Sequence, residues 1–198
     1  MVKVILASAS PRRADLLSKL GINFIQKESS IVENNVKEKS PEKFVKRLAL
    51  LKAQDVAANF KEGIVIGADT VVVYYDQIMG KPKDFQDAVR MLEKLNGSVH
   101  LVISGVAIVD AKTGKFLVDS ETTKVYFRKL SKRDILKYAA TGEPMDKAGA
   151  YGIQGLGGIL VKRIEGCYNN VVGLPLGKLV EMMKDFGVDF WDVVKKEE

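Results

Sequence analysis

Residues 8–13 read SASPRR: two hydroxyls, a proline and two arginines where a short apolar run gives way to a helical pattern. Ser10 and Pro11 have the types favoured at a helix N-cap and first turn. A helix N-terminus presents unpaired N–H groups and a partial positive charge, so an anion is favoured there. Ser8, Ser10, Arg12 and Arg13 add hydroxyl and guanidinium donors, and guanidinium matches phosphate oxygens geometrically. Cations in a first helical turn oppose the helix dipole, a local cost that a bound anion would remove. The same residues also admit a plain cap with solvated arginines.

Three further places carry chemistry. Between residues 41 and 59, Val45, Ala49 and Val56 form an apolar stripe, and Lys52 points along its middle. A lysine there must snorkel to water or meet a negative charge. Asp69 and Thr70 interrupt the apolar run IVIGADTVVVY. A carboxylate at a strand's end can hold a divalent cation or orient water, or only cap a turn, and Gly67 beside it suggests a close approach of backbone to ligand. Asp146 and Lys147 open DKAGAYGIQGLGG, with glycines at 149, 152, 155, 157 and 158. So many glycines cost conformational entropy and require positive φ or a close approach in return. The loop lacks the Gly-x-Gly-x-x-Gly spacing of a dinucleotide site, and GLPLGK (173–178) is too short for a phosphate-binding P-loop, with Leu179 where Ser or Thr is needed.

The elements that must position these residues follow from periodicity. Residues 2–7 read as a buried strand, followed by a helix that Gly21 closes. A second helix spans Ser40–Pro41 to about Asn59. IVIGADTVVVY reads as a central strand, YYDQIMGKP as a turn and a returning strand, and 84–96 as a helix carrying Phe85, Val89 and Leu92 on its apolar face. Three strands are expected between 99 and 128, the first two joined through DAKTGK. A short helix at 131–141, the glycine loop, a strand near 159–165 and a helix from about 174 to 187 complete the chain. This pattern predicts one α/β unit on a mixed, twisted sheet with flanking helices.

Composition excludes several classes. The 198 residues are 46% hydrophobic, as in a globular protein. The single cysteine, Cys167, and single histidine, His100, leave no ligand set for a Cys/His zinc centre or a disulfide framework. His100 reads as structural rather than as part of a Ser-His-Asp triad. VILA is too short for the core of a secretory signal, and no run approaches the about 18 apolar residues of a membrane span, so a cytoplasmic protein is expected. The net charge of +6 suits an anionic partner, although the charges are scattered and the one run, KKEE (195–198), compensates itself.

Taken in order, LASASPRR, Glu33 within SSIVENN, RLALLKA, GADTVV, GKP, EPMDKAGAYGIQG and GLPL resemble the Maf family of nucleoside triphosphate pyrophosphatases over roughly residues 3–188. The resemblance implies a single domain over 1–198 with an elongated, two-lobed fold similar to inosine triphosphate pyrophosphatases and a central cleft. It implies hydrolysis between the α and β phosphates, with a divalent cation, magnesium or manganese, held at Glu33 and Asp69. DKAGAYGIQG resembles the branch that prefers dTTP and UTP, whose specificity positions correspond to Arg12, Thr70 and Gln154. On this reading Asp69 is the general base and Glu33 serves the cation and water. Arg12, Arg13, Lys52 and Lys81 clamp a triphosphate of about four negative charges. Ser8, Asp146 and Lys147 complete the expected substrate contacts, and Asp146 is an alternative carboxylate for the cation or water. The expected partner is the nucleotide itself, with no membrane and no stable nucleic-acid partner; a homodimer is compatible with the family. The same chemistry on modified nucleotides is a close alternative, and a non-catalytic nucleotide- or nucleic-acid-binding regulator of cell division is the rival.

Overall fold

The computed structural model describes residues 2–38 and 40–195; the last three residues of the KKEE run lie outside them. One mixed sheet runs through the chain. Its seven strands are β1 (Val4–Ala7), β2 (Phe24–Gln26), β3 (Ile64–Tyr74), β4 (Gln77–Met79), β5 (Val99–Asp110), β6 (Phe116–Phe127) and β7 (Val161–Glu165). The order is β2-β1-β3-β5-β6-β7, with β4 on β3. β1 is parallel to β2 and β3, while β3/β4 and β6/β7 are antiparallel. The helices are α1 (Pro11–Lys19), α2 (Pro41–Ala57), α3 (Phe85–Leu95), α4 (Lys132–Ala139), α5 (Tyr168–Val172) and α6 (Leu176–Phe186). The expected mixed α/β sheet with flanking helices is therefore present. No helix among the described residues is long and apolar enough to cross a membrane.

The chain divides into two compact units, 1–69 with 104–121 and 173–198, and 70–103 with 122–172. In the first, β1 is buried on both faces, as a strand flanked by parallel neighbours must be. α1 begins at Pro11 as expected, but Ser10 makes no side-chain cap bond. Its end turns at Gly21, whose φ of +71° is readily reached only without a Cβ. α2 is capped by Ser40, which accepts from the Lys43 N–H. The buried face of α2, Ala49, Leu50, Ala53, Val56 and Ala57, packs with Ile5, Ala7, Val65, Ala107 and Val109.

Two glycines set how close α2 can come. A Cβ on Gly67 would stand 2.2 Å from the Ala49 carbonyl oxygen, and one on Gly105 2.3 Å from that of Val45. Gly67 therefore admits the α2 backbone, which corrects the expectation that it admits a ligand. Between 99 and 128 two twelve-residue strands replace the expected three: the first two are joined through 110–115 as expected, but Phe116–Phe127 runs on as one strand with no break for a third. The turn between β5 and β6 is built by Asp110, whose carboxylate accepts from the Lys112 and Thr113 N–H groups.

In the second unit, Tyr75 and Asp76, at φ of 45° and 60°, form the two-residue turn between β3 and β4. α3 is capped by Asp84, and its Val89 and Leu92 are buried, whereas Phe85 at its first turn stays exposed. The core gathers Val72, Leu92, Val125, Phe127, Ile135, Tyr138, Tyr151 and Leu160. His100 is sealed beside them, 2% exposed, with its Nε2 and the Tyr151 hydroxyl sharing a 2.7 Å hydrogen bond.

Candidate active site

β1 stops pairing with β3 at Ala7 and Gly67, and β4 takes up pairing with β3 only at Val72. Asp69 lies in that interval. It is inside an eleven-residue strand, not at its terminus as expected, yet it stands just past the carboxyl end of the parallel β1/β3 pair. Open α/β sheets place their ligands at such ends. β1 delivers Ser8 to the same end of the pair. The buried Ser8 hydroxyl accepts from the Ser10 N–H and from Arg13 Nη1, both at 3.2 Å. Gln26 Nε2 donates to the Ser8 carbonyl at 2.9 Å, and Arg13 Nε donates to the Gly173 carbonyl at 2.8 Å. Ser8 thus orients Arg13, a role that the sequence reading, with Ser8 as a substrate donor, did not contain. Burial lowers the Arg13 pKa below the ordinary arginine value; Arg12 adds to this, while Asp69 and Glu33 oppose it.

The centre of the site is Lys52. Alternating side chains put Gly67 and Asp69 on one face of β3, and Gly67 brings the Ala49 turn of α2 against that face. Lys52, three residues on, then reaches Asp69: Nζ is 2.7 Å from Asp69 Oδ1 and 2.6 Å from Glu33 Oε1. The lysine side chain is only 13% exposed. It does not snorkel; its charge is met by two carboxylates of the same chain. Asp69 is 7% exposed. Burial raises its pKa above the ordinary carboxylate range, Lys52 and Arg13 pull the other way, and Glu33 adds a small further rise. An aspartate is thereby made a better proton acceptor, chiefly by burial rather than by a neighbouring carboxylate.

Glu33 reaches Lys52 from a short 3-10 turn, Glu33–Asn35, on a segment tied back to α2. Ser30 donates its N–H to Asp55 Oδ2 at 2.7 Å and its O–H to Oδ1 at 2.9 Å. These bonds lower the Asp55 pKa. Asp55 was not among the residues singled out from the sequence. Its signal was there only in retrospect, as an acid one helical turn past Lys52 and a Ser-Ser pair just before Glu33.

Among the described residues no group of three or more His, Cys, Asp or Glu is arranged to hold a metal. Glu33 and Asp69 nevertheless converge as oxygen donors on one point of positive charge. Two carboxylates suit a magnesium ion that keeps waters and takes the rest of its ligands from phosphate oxygens, and do not suit an all-protein cage.

The remaining expected residues belong to the second unit. Thr70 is half-buried beside Asp69 in sequence, and Lys81 is exposed in the segment after β4. Lys147 is engaged within its own loop, donating to Asp146 Oδ1 and the Glu143 carbonyl, each at 2.6 Å. Gln154 is half-buried at the start of the Gly155–Leu160 turn. His100 pairs with the Tyr151 hydroxyl, and burial pulls its pKa down to about 4, so it stays neutral near pH 7, as a structural histidine should.

The model of the Maf family, described as Maf-like protein, matches residues 3–186. The chain belongs to the Maf family. A "dTTP/UTP pyrophosphatase" of Acetivibrio thermocellus is 53% identical over 99% of this chain and 100% of its own length. One from a Thermoanaerobacter species is 50% identical over 92% and 96% respectively. Among solved structures, a HAM1 protein from Coxiella burnetii is similar over 76% of this chain and 86% of its own, with 14% identity and a TM-score of 0.45. All seven blocks that suggested the Maf resemblance fall within the matched residues, and so do Arg13, Glu33, Lys52 and Asp69.

Proposed function

We propose that this Maf protein is a nucleoside triphosphate pyrophosphatase that hydrolyses the α–β phosphoanhydride of dTTP and UTP. The observation that carries this reading is the Lys52 ammonium held between a buried Asp69 and Glu33, beside the half-buried Arg13 guanidinium. The names of the relatives agree with it. Water adds to the α-phosphorus, the bond to the α–β bridging oxygen breaks, and pyrophosphate leaves with that oxygen. The proton from the water passes to Asp69, whose raised pKa suits it to receive one.

Arg12 and Arg13, at the start of α1, and Lys52 supply positive charge for the phosphates and the leaving pyrophosphate. Lys81 carries the same role from the family pattern. Ser8 keeps the Arg13 fork aimed. Glu33 and Asp69 would hold a magnesium or manganese ion, which when bound neutralises phosphate charge and favours ionisation of water. Thr70, Gln154 and Arg12 carry the family's role in reading the base. A side-chain amide offers both a donor and an acceptor, as uracil and thymine edges require.

The test is incubation with magnesium and a panel of canonical and modified nucleoside triphosphates, resolving mono- and diphosphate, pyrophosphate and orthophosphate. Monophosphate plus pyrophosphate from dTTP and UTP, abolished by chelator, is the expected result. Diphosphate plus orthophosphate, or tight binding without turnover, would overturn it.

A further inference from the structure

The glycine-rich loop is not held by glycine alone. Gly157 folds directly onto Gly152: a Cβ on Gly157 would stand 2.2 Å from the Gly152 carbonyl oxygen and 2.7 Å from the Tyr138 hydroxyl. The returning arm of this loop hangs on one side chain. Glu143 Oε1 accepts the Gly157 N–H at 2.8 Å and the Tyr138 O–H at 3.0 Å, and Oε2 accepts the Leu156 N–H at 3.0 Å. At the other arm, the Lys147 stem lies where a Cβ of Gly152 would be, 2.7 Å from Cε, while its Nζ donates to the Glu143 carbonyl. Both arms of the loop are therefore referred to residue 143, and Gln154 sits between them. Among the described residues, no group of the chain hydrogen-bonds the Gln154 side-chain amide, so its backbone must aim it.

We infer that Glu143 is a positioning residue for base selectivity: its carboxylate fixes loop 152–158 and so presents the Gln154 amide. The inference rests on the reading of Gln154 as a reader of the pyrimidine edge. Three donors converge on the carboxylate, and hydrogen bonds to a charged acceptor are the strong ones. Two of them are backbone N–H groups near the tip of a loop whose apolar anchors, Tyr151 and Leu160, lie at its flanks, while Leu156 itself is exposed. Without the carboxylate, the loop keeps its covalent path but loses the bonds that define its return.

The experiment compares Glu143→Ala, Glu143→Gln and Gln154→Ala for the ratio of kcat/KM on UTP to that on CTP. It also measures amide hydrogen exchange at Leu156 and Gly157. Glu143→Ala is expected to cut the UTP/CTP ratio about as far as Gln154→Ala does, with exchange at the two amides accelerated by about tenfold or more. Glu143→Gln retains one acceptor and is expected to fall between Ala and the parent, which keeps the test decisive if the Ala variant folds poorly. The double variant Glu143→Ala/Gln154→Ala is expected to be no less selective than Gln154→Ala alone. A ratio lowered by Gln154→Ala but unmoved in both Glu143 variants overturns the inference alone. A ratio unmoved by Gln154→Ala overturns the reading of Gln154 and the inference with it.

Discussion

His100 offers a quantitative check on the second unit. Its ring is stacked edge-on against Phe127 and Tyr151, with centroids 4.9 and 5.3 Å away. Burial lowers its pKa from 6.5 to about 4. In the unfolded chain the ring takes a proton below about pH 6.5, while in the folded chain it stays neutral to about pH 4. The unfolded state therefore binds more protons throughout that window, and stability falls as pH falls through it. At about 1.4 kcal/mol per pH unit, the gap amounts to about 3 kcal/mol in full, and to about 2 kcal/mol by about pH 5. His100→Leu removes the titrating ring. It also strips the Tyr151 hydroxyl of its partner, a cost that is the same at every pH in the window and so cancels. Urea unfolding followed by circular dichroism at about pH 7 and about pH 5 should show the parent losing about 2 kcal/mol more than the variant. Equal losses would refute the claim that burial holds the ring neutral.

Other perturbations follow from the same packing. Gly67→Ala would press a methyl into the Ala49 carbonyl, so unfolding should come earlier by about 1–3 kcal/mol, with turnover falling further as Lys52 is pushed from Asp69; unchanged stability would refute the close approach. Asp55→Ala frees the segment that carries Glu33, and should lower magnesium-supported turnover by about tenfold with little change in the unfolding midpoint; full turnover would remove Asp55 from that role. Because the Asp55 pKa is depressed, the tie to Ser30 is fully present above the ordinary carboxylate range and is lost as pH falls below it.

Much of the site was legible because it broke a local rule. Lys52 on an apolar stripe and Asp69 in an apolar strand are both costly alone, and the structure resolves the two oddities by pairing them. The β3 strand, the longer helices and the start of α2 at Ser40–Pro41 followed from periodicity and cap chemistry. What escaped were effects of distant partners. Gly67 and Gly105 look alike in sequence whether they face a ligand or a helix backbone, and only the packing of α2 decides. Asp55 and Glu143 are ordinary acids in polar surroundings, and their meaning lies in the Ser30 and Gly157 groups that they hold. β2 and α5, at three and five residues, are too short for periodicity to declare them.

The central claim is that the buried Asp69 accepts the proton of the attacking water. Asp69→Asn keeps the size of the side chain and an acceptor for Lys52, but removes the base. With folding checked by circular dichroism and dTTP binding checked by calorimetry, its rate of pyrophosphate release from dTTP is the most direct measurement. A loss of about 10²–10⁴-fold with binding retained is the predicted result; turnover near that of the parent would contradict the account.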